Sequence, residues 1–312
     1  MKTLTRDESN INFFLDANTA PRERVKQGEE ICFETIRADN MYLSRENPVF
    51  RDHAHVMSVR ANPLTGPVYI EGAEPGDLLR VHIDEIALGG DGSEGYYTYV
   101  PGQGVFANEF MPFDYPPETR WCDVSGDTLD LEIGRRRLTL PKEPFIGTLS
   151  VAPKNERRLA YLYGKDVLGN VDCKRIRAGN AVTMPVNVPG ALLYVGDLHA
   201  AQGDGELLGC ALECGGRVTL RAEVIKRDAA AWYDWPTVDG PDFIGSLGFA
   251  DNDLETAVKY AFHDLIKRVE SMYGVTYMEA YMLSGQCARL EICQQTGSFR
   301  TVLAVLDNMI AK

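Results

Sequence analysis

The 312-residue chain has no run of eighteen uninterrupted apolar residues, and its opening residues, MKTLTRDESN, lack the apolar core of a secretory leader. We therefore expect a soluble, cytoplasmic protein. It also lacks any excess of positive charge: 45 acidic residues outnumber 32 basic ones, giving a formal net charge of -13. With no basic stripe to follow a phosphate backbone, neither nucleic acid nor an anionic membrane is expected as a partner, and a small neutral or cationic ligand fits better. The seven cysteines, Cys32, Cys122, Cys173, Cys210, Cys214, Cys287 and Cys293, form no Cys-x-x-Cys pair. An odd, scattered set favours free thiols in a reducing compartment over a disulfide framework. Also missing are a Gly-x-Ser-x-Gly elbow, a P-loop, a Ser-x-x-Lys pair and a Gly-x-Gly-x-x-Gly fingerprint on a strand–helix turn. A serine nucleophile, phosphoryl transfer and dinucleotide binding thus lose their usual support.

The pattern that remains is one of short strands between turns. Residues 31–36, 68–71, 78–86, 129–133, 137–140, 181–188, 191–195, 206–212 and 218–225 read as strands, with turns at Pro75-Gly76 and Asp91-Gly92. In 78–86, Leu79, Val81, Ile83 and Glu85 fall on one side and Arg80, His82, Asp84 and Ile86 on the other, which sets His82 on the wetter face. His53 and His55 read as the rim of a further strand. After Asp251 the period changes. Asn252 and Glu255 suggest a capping box, and Leu254, Val258, Ala261, Phe262, Leu265, Ile266, Val269 and Met272 recur at helical spacing until Gly274. A short helix over 277–283 follows, then strands over 289–293 and 299–306 joined by Thr296-Gly297-Ser298. The expectation is an α+β, predominantly β protein: a β-sandwich core over 1–250 carrying the polar site, with 251–312 as a helix and β-hairpin packed on it.

Chemistry concentrates in GALLYVGDLHAAQGDGE (190–206), where Asp197, His199, Gln202, Asp204 and Glu206 lie within ten positions between glycines. If the segment is extended, Asp197 and His199 share one face and offer an oxygen and a nitrogen to zinc or a similar ion. With Glu213 close by, such clustered carboxylates must be hydrated, protonated or bound to a cation. Two other segments combine polar groups with turn glycines: NPLTGPVYIEGAEPGD (62–77), around Glu71, and GNVDCK (169–174), with Asn170 and Asp172. Segment 96–123 is rich in aromatics, among them Tyr96, Tyr97, Tyr99, Phe106, Phe110, Phe113, Tyr115 and Trp121. These line a larger pocket or pack as a lid or subunit contact.

The same segments carry a resemblance. NPLTGPVYIEGAEPGDLL (62–79), PFIGTLSVAP (144–153), GNVDCK, VPGALLYVGDLHAAQGDGELLG (188–209) and AYMLSGQ (280–286) together resemble the acetamidase/formamidase family. Leu15-Asp16-Ala17-Asn18 and Leu168-Gly169-Asn170 depart from the Trp-Asp-Asn-Ser and Gly-Gly-Asn usual in that family. The resemblance implies hydrolysis of the C–N bond of short amides, formamide or acetamide in type, by a homodimer with a metal-bearing site. It implies a divalent ion, zinc first and calcium second, on Asp172, Asp197, His199 and Glu213, with Glu71 as a further candidate. Asp204, Glu206 and His199 would be the catalytic groups, and Glu71, Asn170 and Gln202 would contact the amide. The competing expectation is a non-catalytic sandwich that binds a metal or ligand, or a hydrolase of a larger amide.

Overall fold

The computed structural model describes residues 1–90, 94–106, 110, 114–229 and 233–307. Alternating apolar residues assemble two large sheets over one core. The nine-stranded sheet runs in the order Lys2–Leu4, Ile31–Thr35, Gly216–Ile225, Leu78–Leu88, Ala181–Pro185, Thr237–Asp239, Phe243–Phe249, Thr301–Asp307, Arg289–Gln294. In the ten-stranded sheet, Leu193–His199 pairs with Phe145–Val151, Glu213–Cys214 and Leu64–Ile70. Leu168–Asn170 lies beyond Phe145–Val151, while Gly95–Tyr99 and Glu118–Cys122 extend the sheet past Glu213–Cys214. Val81, Ile83, Val218 and Leu220 from the first sheet meet Ile146, Leu149, Val195 and Leu198 from the second in one buried cluster. Each such side chain contributes about 1.5–3 kcal/mol by leaving water.

The architecture is α+β and predominantly β. Helices α2 (Leu254–Tyr273) and α3 (Tyr277–Cys287) cover the outer face of the nine-stranded sheet, where Ala257, Ala261, Leu265 and Val269 pack on Ile244, Val302, Ala304 and Leu306. The C-terminal strands are themselves part of that sheet, Thr301–Asp307 pairing along the whole of Phe243–Phe249.

Several local expectations are corrected. The α2 N-cap is Asp253, whose side chain accepts the Thr256 amide at 2.9 Å. Asn252 instead takes a left-handed φ of 56° and spends its own N–H on Ser298 O. Residues 206–212 form no strand, because Gly205, Glu206 and Gly209 all have positive φ and turn the chain. His53 and His55 lie on a short helix, α1 (His53–Ser58), capped by Asp52. In Leu78–Leu88 the alternation shifts at a bulge opposite Thr219 and Leu220, so Glu85 is exposed and Ile86 packs on the core. Residues 191 and 192 have positive φ, and the strand there begins at Leu193 and continues through His199. The turn at Asp91-Gly92 and the side chain of Phe113 lie outside the described residues.

Candidate active site

Directly opposed residues in antiparallel strands project to the same side of a sheet. In the ten-stranded sheet His199 opposes Phe145 on one neighbour and Glu213 on the other; Glu213 opposes Tyr96, and Tyr96 opposes Trp121. These five side chains form a row, and Asp197, two positions before His199, shares its face. Ile146, Leu198 and Cys214 point the opposite way, into the common core. The row is roofed: Leu43 and Phe50, ahead of α1, pack with Tyr96 and Val100 over it. Between roof and sheet lies a cavity of about 430 Å³ whose walls include Asp172, Asp197, His199, Glu206 and Glu213.

Each of three carboxylates in this group has one oxygen held by protein donors and the other turned toward the imidazole. Asp172 Oδ2 accepts from Asn170 Nδ2 at 3.2 Å and from Gln294 Nε2. Asp197 Oδ2 accepts from Asn62 Nδ2 at 3.0 Å and from Thr148 Oγ1 at 3.2 Å. Glu213 Oε1 accepts the Ala211 amide at 3.0 Å. The remaining oxygens gather on His199: Asp197 Oδ1 is 3.3 Å and Glu213 Oε2 3.1 Å from Nε2, and Asp172 Oδ1 is 3.8 Å from Nδ1. Gly147 makes room for them, since a Cβ there would collide with Asp172 Oδ1 and stand 2.7 Å from Asp197 Oδ2.

So much buried acid shifts the proton equilibria of Asp172, His199, Glu206 and Glu213. Burial, reinforced by Asp197, pushes the Asp172 carboxyl up to about 7. Burial and Asp172 raise Glu206 well above the carboxylate range, and burial raises Glu213. At His199 burial disfavours the charge, but Glu213 and Asp197 outweigh it and lift the imidazole well above its ordinary value. The cluster thus calls for positive charge at its centre, which a proton or a metal ion supplies.

Its donors fit a metal. Ligand atoms of Asp172, Asp197 and His199 all lie within 4.8 Å of one another. Asp172 Oδ1, His199 Nδ1 and Glu213 Oε2 are buried and make no hydrogen bond. Leaving such an atom unpaired costs about 1–3 kcal/mol, and Asp172 Oδ1 and His199 Nδ1, 3.8 Å apart, offer an oxygen and a nitrogen that a cation would satisfy. The Cys210 thiol, also on the cavity wall, is held protonated by burial and by Glu213.

The structure brings together Asn170, Asp172, Asp197, His199, Glu206 and Glu213 and leaves three other candidates outside. Asp204 is exposed and pairs with Lys174 at 2.6 Å. Glu71 is exposed at the end of its strand and lines no part of the cavity. Gln202 stands behind the site, its Nε2 donating at 3.1 Å to the carbonyls of Asp172 and Cys293. Of the aromatic segment, Tyr96 lines the cavity and Trp121 packs against it, whereas Phe106, Phe110 and Tyr115 are exposed. Asn62, Gly147, Thr148 and Gln294 were not anticipated. The first three lie in Gly/Pro-rich stretches already notable in the sequence; Gln294, at the end of an ordinary strand, carries no local signal.

A roofed β-sandwich with a buried imidazole–carboxylate centre on one sheet defines the class of protein. The chain belongs to the acetamidase/formamidase family, whose model matches residues 8–161 and 160–294. It is 30% identical to an acetamidase of Mycolicibacterium smegmatis, over 84% of this chain and 81% of that one. It is 27% identical to a protein of Schizosaccharomyces pombe named for formamidase, over 65% of this chain, and the match spans 61% of that relative's length. The crystal structure of an acetamidase from Bacillus halodurans superposes with a TM-score of 0.87 at 30% identity, covering 99% of this chain and 98% of that one.

Proposed function

We propose that this protein hydrolyses the C–N bond of carboxamides, formamide and acetamide among them, to a carboxylate and ammonia. The observation that carries the reading is the arrangement around His199: three carboxylates, each with one oxygen pinned and one turned inward, in a cavity, within a chain of the acetamidase/formamidase family. Asp172, Asp197 and His199, with Glu213, would hold a divalent ion; an imidazole among carboxylates suits zinc better than calcium, which prefers oxygen alone. When bound, the ion supplies Lewis acidity toward the carbonyl and the attacking water.

The remaining work falls to the chain's own groups. Glu206 lines the cavity, and burial and Asp172 raise its pKa, which makes its carboxylate a stronger base: in that form it would take a proton from the attacking water and then pass that proton to the departing nitrogen. Asn62, Thr148, Asn170 and Gln294 keep the carboxylates of Asp197 and Asp172 in register, as outer donors do around metal ligands.

We further read the protein as a cytoplasmic homodimer. The seven cysteines, with no disulfide among the described residues, support the compartment, and the exposed Met278, Tyr281 and Met282 of α3 support an apolar subunit contact. Among the described residues no helix is long and apolar enough to cross a membrane.

The test is ammonia release from formamide and acetamide by protein as purified, after chelation, and after metal add-back. Activity lost on chelation and restored by zinc is expected. Stoichiometric metal uptake by folded protein without ammonia from any amide would instead favour the non-catalytic binding reading.

A further inference from the structure

We infer that the cavity is shaped for primary amides whose acyl group is an uncharged apolar chain of about four to six carbons, or a phenyl ring. The inference rests on the amidase reading and narrows its substrate class. The cavity, open to solvent on one side, offers about 430 Å³, within the roughly 300–1,000 Å³ of sites that take drug-sized ligands. Acetamide has four heavy atoms; at roughly 30 Å³ each, the share of a water in the liquid, it would leave most of that space unfilled.

The walls are divided by chemistry. Asp172, Asp197, His199, Glu206 and Glu213 form one end. Elsewhere polar side chains such as Thr98 and Thr296 share the lining with an apolar set, Phe50, Val56, Met57, Tyr96, Val100 and Phe299. Phe50 and Val100 belong to the cluster beneath the roof, and Val56 packs on it, so this surface is a built part of the fold. A two-carbon amide held at the acidic end would leave that apolar wall facing water, whereas a longer acyl chain would cover it.

Charge narrows the class further. No lysine or arginine lines the cavity among the described residues, so nothing there would neutralise an anionic acyl group beside so many carboxylates. Asp39, the remaining acid on the wall, is already engaged by Arg37 at 2.9 and 3.0 Å. At the rim, His53 Nδ1 and Gln103 Nε2 hydrogen-bond each other at 2.9 Å, a polar edge without an ion pair.

The experiment is kcat/KM by ammonia release for formamide, acetamide, butyramide, hexanamide, benzamide and succinamate on the metal-loaded protein. Burial of each added methylene should raise kcat/KM about fourfold, the transfer free energy of a CH₂ group expressed as a ratio. Hexanamide, four methylenes longer, should thus exceed acetamide by roughly two-hundredfold, with benzamide turned over and succinamate rejected. A decline from acetamide to hexanamide while acetamide is turned over well would overturn this inference and leave the amidase reading standing. Silence with every amide would remove both. As a second arm, Val100→Phe, checked for folding by circular dichroism, should lower kcat/KM for hexanamide at least about tenfold more than for acetamide; equal losses for both would also overturn it.

Discussion

Two carboxylates occupy the space that a side chain at residue 147 would need. Gly147→Ala should therefore force Asp172 and Asp197 apart, costing about 1–3 kcal/mol of stability by overpacking. Metal affinity should fall by about 10–100-fold, as when outer-shell support is lost; isothermal titration with zinc would show it, and unchanged affinity would dissociate Gly147 from the centre. Glu206 and Asp204 separate the two acids that the sequence places two residues apart. Glu206→Gln should lower kcat by about 10²–10⁴, the usual contribution of a positioned acid–base group, while zinc uptake persists. Asp204→Asn, at an exposed ion pair, should change kcat little. Protons provide a third handle. In chelated protein the folded state holds the Asp172 proton up to about pH 7, against an ordinary value of 3.8. The folded state then binds more protons than the unfolded chain, so stability falls as pH rises from about 4 to about 7. Glu206, Glu213 and His199 are raised too and act in the same direction. The melting temperature of chelated protein should be lower at pH 7.5 than at pH 5, and zinc should restore it at pH 7.5; a flat profile after chelation would contradict the cluster's electrostatics.

Elements that obey one period were legible from the chain, and those that obey two were not. The helical stripe from Leu254 and the stop at Gly274 read directly, because α2 buries one face and exposes the other. Gly274 has a φ of 63° at the helix end, so Gly274→Ala should cost about 1 kcal/mol by forcing a Cβ into the left-handed region, measurable by denaturant midpoint. Phe145–Val151 and Phe243–Phe249 carry no strand signal in the sequence. Every residue of both is buried, so neither shows the alternation by which a half-exposed strand is recognised, and both contain glycine. The opposite error arose at 206–212, where an apolar composition suggested a strand but three positive φ angles make a turn. That turn carries Glu206 into the cavity, and a straight strand from Asp204 would have left the choice between the two acids open.

For the whole molecule, we propose that 251–312 and the preceding core fold as one unit. Thr301–Asp307 closes the register of Phe243–Phe249, and α2 buries the outer face of both. A chain ending at Ala250 should therefore be insoluble or unfolded, and the full chain should melt in one transition; a soluble, cooperatively folding truncation would show two independent units. Residue identity and local spacing were enough to determine a β-rich chain of negative charge, the helical tail, the family, and the Asp197–His199 pair, because alternation, helical period and short motifs are properties of neighbouring residues. Asp172 and Glu213 are tied to that pair as ligands by the resemblance alone; only the tertiary structure decided that Asn62, Thr148 and Gln294 orient the carboxylates and that Asp204 and Glu71 lie outside the cavity. Those relations depend on strand register and on a roof formed by residues distant in the chain, and no local pattern encodes which strand will lie beside which.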